Sequence, residues 1–283
     1  MSRIAILGTG LLGSGFAEGA AKRGWQVTAW NRTPDKAHAL ETFGVKTAAT
    51  PADAVRGADR VHLILRDDAV VDEVLAAARA GLGADTIVCD HTTTQPALTA
   101  ERAARLAVQG VKYLHCPVFM GPPAARTAQG SMMVSGPQAL FDQVRGDLAM
   151  MTGKLEYCGE RLDLAAAYKL FGNAFIVGMG ALVADVYTIA QGAGCTPEEA
   201  LRVMGFFNPG AILEGRGRSM AQGSFVPGFE LAMARKDIRL MIETAGNRPL
   251  AALPGIAARM DTLIAAGHGR DDVGVIAIDA VSR

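Results

Sequence analysis

The stretch Ile4-Ala5-Ile6-Leu7-Gly8-Thr9-Gly10-Leu11-Leu12-Gly13 decides the fold of the first half of this chain. A short apolar run that ends in Gly-x-Gly-x-x-Gly and continues into an Ala-rich helix is typical of a loop that holds a dinucleotide pyrophosphate. The phosphates lie at the helix N-terminus, where free N–H groups and the helix dipole favour negative charge. We therefore predict that the six residues from Gly8 to Gly13 bind the cofactor. A glycine turn with a purely structural role is the alternative.

The residues that follow the second predicted strand indicate which dinucleotide is bound. An NAD-preferring site usually has a carboxylate about 20 residues past the glycines, which accepts hydrogen bonds from the ribose hydroxyls. Asn31, Arg32 and Thr33 stand there instead. A guanidinium can bind the 2′-phosphate of NADP through two charge-assisted hydrogen bonds, whereas a carboxylate would repel it. The sequence therefore favours NADP(H) over NAD(H), with an ordinary surface arginine as the alternative.

The composition excludes several classes of protein. The 283 residues are long for one core and suit two domains, and half of them are hydrophobic. The 28 basic and 28 acidic residues cancel, so we expect no nucleic-acid or membrane-surface partner. The four cysteines form no C-x-x-C pair, so we expect no metal site and a reducing, cytoplasmic location. The apolar run 174–184 is shorter than the ~20 residues that span a bilayer.

Short β-branched runs alternate with Ala-rich helical stretches through the first part of the chain. This alternation predicts an α/β fold with a Rossmann-type, doubly wound parallel sheet. The predicted strands are Ile4–Leu7, Val27–Trp30, Arg60–Leu65, Thr86–Asp90, Tyr113–Val118 and 132–136. The predicted helices are Leu12–Arg23, Pro34–Phe43, Pro51–Ala58, Val70–Ala80, Gln95–Gln109 and Pro137–Met150.

The pattern changes after about Gly159, and the rest of the chain is predicted to be all-helical. Residues 162–191 form one long predicted helix that is apolar nearly all round, as expected if a second chain packs against it. The further predicted helices are Pro197–Phe206, Ala211–Met220, Leu231–Ala245 and Pro249–Ala266. We therefore predict an NADP-binding domain at 1–160 and a helical substrate and homodimerisation domain at 161–283. Residues 153–162 would be the junction.

Two polar residues of the long predicted helix, Lys169 and Asn173, are four positions apart and therefore share one helix face. Burial among apolar neighbours would lower the pKa of Lys169 toward the range useful for proton transfer. An amide one turn away can hold the ammonium or a substrate oxygen. A lysine that reaches from the helix end to water is the alternative.

Taken in order, the motifs of this chain resemble those of the short β-hydroxyacid dehydrogenases. That family includes 3-hydroxyisobutyrate dehydrogenase and the NADPH-dependent glyoxylate and succinic semialdehyde reductases, and it is related to 6-phosphogluconate dehydrogenase and to imine reductases. The resemblance covers nearly the whole chain. Its motifs are the glycine loop, Asn31-Arg32-Thr33, Asp90-His91-Thr92-Thr93, Cys116-Pro117-Val118 with Gly121, the Lys169–Asn173 pair, and Phe225-x-Pro227-x-Phe229 leading into Lys236-Asp237.

The resemblance implies an NADP-dependent oxidoreductase that interconverts a small carbonyl compound and its alcohol. Lys169 would be the general acid in reduction, and Asn173 would orient Lys169 or the substrate oxygen. The further cofactor residues that it implies are Leu65, Thr92, Thr93 and Lys236. For Lys236, a solvated charge pair with Asp237 is the alternative.

The predicted substrate loop departs from the family. Where the family usually has Asp-Ala-Pro-Val-Ser-Gly-Gly, this chain has His-Cys-Pro-Val-Phe-Met-Gly-Pro-Pro at 115–123. Phe119 replaces the serine that helps to bind a substrate carboxylate, Met120 replaces the first glycine, and two prolines lack N–H donors. The predicted substrate residues are Pro117, Val118, Phe119, Met120 and Gly121. Either the substrate is more apolar, or the loop repacks and Arg126 or another donor supplies the anion contact.

Two other functions remain open. The apolar loop would suit an imine reductase, although those relatives generally lack the helix lysine. A protein that binds the cofactor without turnover would show a broken catalytic pair, whereas Lys169 and Asn173 are both present. His91 and His115 stand near predicted strand ends, where a single histidine is more often structural than catalytic.

Overall fold

The computed structural model describes residues 2–206 and 208–281. The backbone divides into two compact units, one that ends at Asn173 and one that begins at Ala174. The long helix Leu164–Gly192 contributes residues to both units. The predicted domain boundary at residue 160 therefore stays a prediction.

A mixed β-sheet forms the centre of the first unit. The strands found in the described residues are β1 (Arg3–Leu7), β2 (Gln26–Trp30), β3 (Lys46–Thr47), β4 (Arg60–Leu63), β5 (Ile87–Asp90), β6 (Lys112–His115), β7 (Val118–Phe119), β8 (Ser131–Ser135) and β9 (Lys154–Gly159). Their order is β3-β2-β1-β4-β5-β6-β8-β7, with β9 paired to β8. Strands β1 to β6 pair in parallel, whereas β8 runs antiparallel to β6 and β7. The Rossmann-type fold predicted from the sequence is confirmed, but the sheet is not entirely parallel.

The glycine-loop strand β1 is buried on both faces of the sheet. Ile4 and Ile6 pack into one apolar core with Phe16, while Ala5 and Leu7 pack into a second core with Leu63. A parallel sheet covered by helices on both sides requires strands that are apolar without alternation. This burial explains why the first strand is a continuous apolar run.

Helices cover both faces of this sheet. In the first unit they are α1 (Leu11–Lys22), α2 (Pro34–His38), α3 (Pro51–Val55), α4 (Asp68–Ala78), α5 (Pro96–Val108), α6 (Pro122–Arg126), α7 (Gln138–Ala149) and the start of α8 (Leu164–Gly192). In the second unit they are the rest of α8, α9 (Pro197–Leu201), α10 (Pro209–Ala221), α11 (Leu231–Ala245), α12 (Leu253–Ala265) and α13 (Ile278–Val281).

Several predicted boundaries in the first unit are wrong. The predicted helix 34–43 ends at His38, and a 3₁₀ turn follows at Glu41–Phe43. The predicted strand 60–65 ends at Leu63. The predicted strand 113–118 breaks after His115, because Pro117 has no N–H to donate to a strand ladder.

Two later predictions are also corrected. The junction predicted at 153–162 contains β9, which pairs in parallel with β8 and extends the sheet. The helix predicted at 197–206 ends at Leu201 and continues as a 3₁₀ turn at Arg202–Gly205. Short edge strands and helix ends carry little periodicity, so the sequence pattern did not resolve them.

The second unit has its own apolar core, in which Leu231 and Ile238 of α11 pack with Leu253 and Met260 of α12. Asp185 of α8 accepts hydrogen bonds from the N–H groups of Ala251, Ala252 and Leu253. These N–H groups precede or begin α12 and have no partner inside the helix. Asp185 thereby attaches α12 to α8.

The long helix α8 exposes apolar side chains in the single chain. Phe171, Phe175, Ile176 and Val177 are between 56% and 71% exposed. By length and composition α8 is also long and apolar enough to cross a membrane, a property that it shares with core helices of soluble proteins. The shortness of the run 174–184 therefore does not by itself exclude a span. Covering of this surface by a second chain remains a prediction.

Candidate active site

The glycine turn between β1 and α1 is closely packed at its two ends and open at its centre. Gly8 has φ +103°, and a Cβ built on it would lie 2.3 Å from the carbonyl oxygen of Ile64. A Cβ on Gly13 would lie 1.9 Å from the carbonyl oxygen of Gly8. A Cβ on Gly10 would meet no described heavy atom within 4 Å. The turn therefore needs glycine for packing at Gly8 and Gly13, whereas Gly10 leaves room for a ligand.

The N-terminus of α1 lies at this open position. No side chain among the described residues caps the helix at Gly10, and the Leu11 side chain is 82% exposed. The first N–H groups of a helix have no partner within the helix and attract anions. The arrangement suits a phosphate group better than a neutral ligand.

A cavity of about 450 Å³ opens beside the turn, within the first unit. Its lining includes these predicted cofactor residues: Gly8, Gly10, Leu11, Leu12, Asn31, Arg32, Thr33, Leu65, Thr92 and Thr93. Thr9 and Gly13 belong to the turn but are not among the lining residues. The structure thus brings most of the predicted cofactor residues of the first unit to one concave surface.

Asn31 joins the two loops that border this cavity. Its Oδ1 accepts a hydrogen bond from the Thr9 N–H at 3.0 Å, and its Nδ2 donates to the Thr33 carbonyl at 3.0 Å. A carboxylate at this position could not make the second bond because it has no donor. Asn31 therefore positions the glycine loop against the loop that follows β2.

The end of the cavity next to β2 carries positive charge. Arg32 and Lys36 are exposed lining residues, and neither has an ion-pair partner among the described residues. Arg66 also lines the cavity but pairs with Asp67 at 2.7 Å. Neither Lys36 nor Arg66 was predicted from the sequence. Lys36 lies in the first turn of α2, and Arg66 lies just after β4. These positions, after the carboxyl ends of parallel strands, could have indicated both residues from the sequence.

The floor of the cavity is a buried hydrogen-bond network at the ends of β4 and β5. The Leu65 N–H donates to Thr92 Oγ1 at 3.0 Å, and the Thr92 N–H donates to Asp90 Oδ1 at 2.9 Å. The other oxygen of Asp90 accepts from the Tyr113 hydroxyl at 2.8 Å. Burial raises the pKa of Asp90, which these hydrogen bonds oppose. The network holds Leu65 and Thr92 in place along the cavity.

Lys169 lies beside the predicted substrate loop. Its Nζ donates to the carbonyl oxygen of Val118 at 2.7 Å and lies 4.2 Å from the centroid of the Phe119 ring. Burial lowers the pKa of Lys169, in the direction that the sequence predicted. Asn173 is half-buried, and its side chain has no hydrogen-bond partner in the described part of the chain. The structure therefore joins Lys169 to the loop but does not bond it to Asn173.

The substrate loop is anchored on both sides. Val118 and Phe119 pair with Met132 and Ser131 of β8, and Met120 packs against the core. Gly121 precedes the short helix α6. This anchoring allows the loop to hold the Val118 carbonyl toward Lys169.

Arg126, the alternative donor to a substrate anion, forms an ion pair with α1. The Arg126 Nε donates to Glu18 Oε2 at 2.7 Å, and the Glu18 side chain is nearly buried. Glu18 also pairs with Lys22 at 2.6 Å. The Arg126 Nε is therefore bound to α1, and a contact between Arg126 and a substrate anion stays a prediction.

The remaining predicted cofactor residue, Lys236, lies in the second unit on α11. It is exposed, and its Nζ lies 2.8 Å from Asp237 Oδ1. This is the charge pair that the sequence analysis offered as the alternative. A role toward the cofactor stays a prediction.

Comparison with known proteins gives the same fold and the same class of cofactor. The family model described as the NAD binding domain of 6-phosphogluconate dehydrogenase matches residues 3–159. An uncharacterized oxidoreductase of Shewanella frigidimarina is 29% identical over 265 residues, which cover 89% of this chain and 90% of that protein. The 2-hydroxy-3-oxopropionate reductase of Escherichia coli is 29% identical over 86% of this chain and 84% of that enzyme.

Among solved structures, the Streptomyces aurantiacus imine reductase superimposes with a TM-score of 0.87. It is 26% identical, and the match covers 100% of both chains. The similarity therefore extends beyond the cofactor domain to the helical part of the chain.

Proposed function

The chain belongs to the β-hydroxyacid dehydrogenase family, whose cofactor domain is that of 6-phosphogluconate dehydrogenase, and we propose that it reduces a small carbonyl compound with NADPH. That it is an NAD(P)-dependent oxidoreductase follows from the family. The observation that carries the carbonyl chemistry is Lys169, whose half-buried ammonium is held by the Val118 carbonyl at 2.7 Å. Oxidation of the corresponding alcohol is the reverse of the same reaction.

The residues of the glycine turn fit a dinucleotide. The space at Gly10 and the uncapped N-terminus of α1 suit its pyrophosphate, and the loop after β2 suits its adenosine ribose. When bound, the nicotinamide supplies the hydride. Thr92 and Leu65, which are fixed by the Asp90 network, would line the nicotinamide side of the cavity.

The preference for NADP over NAD is proposed from charge. Arg32 and Lys36 line the cavity without acidic partners in the described residues, so both are available to a 2′-phosphate. None of Asn31, Arg32 and Thr33, which directly follow β2, is a carboxylate that could hold a free 2′-hydroxyl. Glu73 is an acidic lining residue, but it lies on α4 beside Val70 and Val74 rather than in the loop after β2.

Lys169 is proposed as the general acid. A proton on its Nζ would pass to the carbonyl oxygen as the substrate carbon becomes tetrahedral. A lysine with a lowered pKa gives up its proton more readily than a solvated one. The Val118 carbonyl would fix the direction of the remaining N–H groups. The Asn173 amide, which has no partner among the described residues, would be available to the substrate oxygen.

The test measures NADPH oxidation with short aldehydes, 2-keto acids and cyclic imines, for the wild-type chain, Lys169→Ala and Lys169→Arg. We expect Lys169→Ala to lower kcat by about 10²–10⁴-fold. Lys169→Arg keeps the charge but cannot release a proton at neutral pH, so it should be nearly as slow. If Lys169→Ala keeps the wild-type rate on every substrate, Lys169 is not the general acid.

Imine reduction is the second candidate function. The apolar side chains of Phe119 and Met120 favour it, and so does the similarity to the Streptomyces aurantiacus imine reductase. A rate on imines well above that on every carbonyl compound would decide for it. Binding of NADPH without any turnover would instead indicate a protein that only binds the cofactor.

A cytoplasmic homodimer through the helical part is proposed as well. The exposed apolar side chains of α8, such as Phe175 and Val177, need a cover in water. Lys169 and Asp185 both lie on α8 and bond to the folded units, which disfavours insertion of this helix into lipid. Light scattering of the purified protein in buffer without detergent tests whether the chain forms a homodimer and whether it stays in solution without lipid. A requirement for detergent would contradict both expectations.

A further inference from the structure

The aromatic ring of Phe119 packs against α8 next to Lys169. The Lys169 Nζ lies over the ring, 4.2 Å from its centroid. One turn further along α8, a Cβ built on Gly172 would lie 2.2 Å from Phe119 Cζ and 2.7 Å from Cε1. The ring therefore fills the space that any larger side chain at residue 172 would need. This contact explains a glycine in the interior of a helix, where glycine is unfavourable.

The ring leaves the lysine ammonium with one polar contact in the described residues. One of its three N–H donors binds the Val118 carbonyl at 2.7 Å, and no carboxylate pairs with it there. The aromatic face covers a second side. Only the remaining side of the ammonium is free to meet a substrate oxygen.

The substrate loop presents few side-chain donors to an anion beside the ring. The Phe119 side chain is a hydrocarbon, and Pro122 and Pro123 lack even a backbone N–H. The Arg126 Nε is bound to Glu18. A carboxylate placed against the ring face would therefore lose water there without gaining a hydrogen bond from the ring, which is costly.

We propose that Phe119 excludes a substrate carboxylate from the space beside its ring, and that the site takes aldehydes or imines with an apolar group there. The proposal rests on the proposed function, because it names the substrate class of the same site. The face of a phenyl ring carries partial negative charge, so it attracts the Lys169 ammonium and repels a carboxylate. Phe119, held in place by Gly172, is thus the residue that determines specificity.

The experiment compares two aldehydes of equal chain length, butanal and succinic semialdehyde, with NADPH as the reductant. We expect the wild-type kcat/KM to favour butanal by about tenfold or more, because the Phe119 ring offers the carboxylate no hydrogen bond. Phe119→Ser removes the ring and adds a hydroxyl donor, and it should shift the ratio toward succinic semialdehyde by about tenfold or more. Phe119→Leu is the matched control, since it stays apolar and should keep the preference for butanal.

A second pair of variants tests the packing contact itself. Gly172→Ala should lower the thermal unfolding temperature of the wild-type chain because of the clash with the ring. Gly172→Ala made in the Phe119→Ser variant should not lower the unfolding temperature, because the ring atoms that clash with the added Cβ are absent. If Gly172→Ala lowered the thermal unfolding temperature equally in the wild-type and Phe119→Ser chains, the Phe119 ring would not be the reason for a glycine at residue 172.

A wild-type preference for succinic semialdehyde, or an unchanged ratio in Phe119→Ser, overturns the inference and leaves the oxidoreductase proposal standing. If neither aldehyde nor any imine reacts, the proposed function fails instead. Binding of two unreactive probes, butyrate and butyramide, to the NADPH-loaded protein then decides the inference. Tighter binding of butyramide, reversed in Phe119→Ser, supports it, and tighter binding of butyrate by the wild-type chain overturns it.

Discussion

His62 and His91 form a buried, stacked pair under the candidate cofactor cavity. Nδ1 of His62 lies 2.9 Å from Nε2 of His91, and the two rings are 4° from parallel. Nδ1 of His91 lies 2.7 Å from the Cys116 carbonyl, which can only accept a hydrogen bond. A neutral His91 therefore donates from Nδ1 and accepts from His62 through Nε2. The pair fixes Cys116, two residues before the carbonyl that holds Lys169.

This arrangement requires neutral histidines and therefore predicts a stability that depends on pH. Burial lowers the pKa of His91 to about 4 and that of His115 to about 3, and it lowers the pKa of His62 well below its ordinary value. Between these values and about 6.5 the unfolded chain binds more protons than the folded one. The stabilisation is complete above pH 6.5 and is lost as the pH falls toward 4.

Urea unfolding between pH 7 and pH 5 measures this effect. Each buried histidine should contribute a slope of up to about 1.4 kcal/mol per pH unit. His115→Leu removes one of the three buried histidines. The slope should then fall by up to about 1.4 kcal/mol per pH unit, which corresponds to one proton, whatever the effect of the substitution on absolute stability. A free energy of unfolding that stays constant over this range would contradict the neutral, buried assignment.

The glycine turn predicts two different consequences for two similar substitutions. Gly13→Ala places a Cβ 1.9 Å from the Gly8 carbonyl oxygen, so it should destabilise the fold by about 3 kcal/mol or more. Gly10→Ala meets nothing in the protein and should leave thermal unfolding nearly unchanged. It should nevertheless weaken NADPH binding by about tenfold or more, because the Cβ projects where the pyrophosphate is expected. Unaltered NADPH affinity in Gly10→Ala would argue against that placement.

The proposed 2′-phosphate site predicts a change of cofactor preference. Arg32→Gln removes a guanidinium that can form two charge-assisted hydrogen bonds, so it should raise the KM for NADPH by about 10–100-fold. The KM for NADH should change little. Lys46→Gln removes a similar exposed charge outside the cavity lining and serves as the control. If Arg32→Gln raised the KM for NADPH and the KM for NADH equally, Arg32 would not contact the 2′-phosphate.

The lowered pKa of Lys169 predicts a pH profile for carbonyl reduction. A general acid must carry its proton, so kcat should fall as the pH rises through the pKa of Lys169. Because burial lowers this pKa, the fall should occur below the pH at which a solvated lysine titrates. The residual rate of Lys169→Arg should lack this alkaline fall, since arginine stays protonated. A fall at the same pH in both proteins would assign it to another group.

Features that depend on local sequence could be predicted. The run Ile4–Leu7 and its three glycines specify a strand, a tight turn and a helix start within ten residues, because each step has its own steric requirement. The absence of a carboxylate at residues 31–33, directly after β2, was equally local. Lys169 stood out because a charge among apolar helix residues needs a reason.

Features that depend on contacts between distant residues could not be predicted from the sequence. The pairing of β9 with β8, the capture of Arg126 by Glu18 and the hydrogen bonds of His91 join residues that are remote in the chain. Sequence spacing carries no signal for such pairs. The tertiary structure alone reveals them.

By itself the sequence determined that this chain contains a Rossmann-type dinucleotide-binding fold and a lysine among apolar helix residues, since both follow from residue type and short-range spacing. Only the tertiary structure decided what surrounds that lysine. It packs Phe119 into the space left by Gly172, 53 residues further along the chain, and turns the Val118 carbonyl toward Lys169. The physical reason is that side-chain packing is set by which elements meet in space, and local spacing does not encode that meeting.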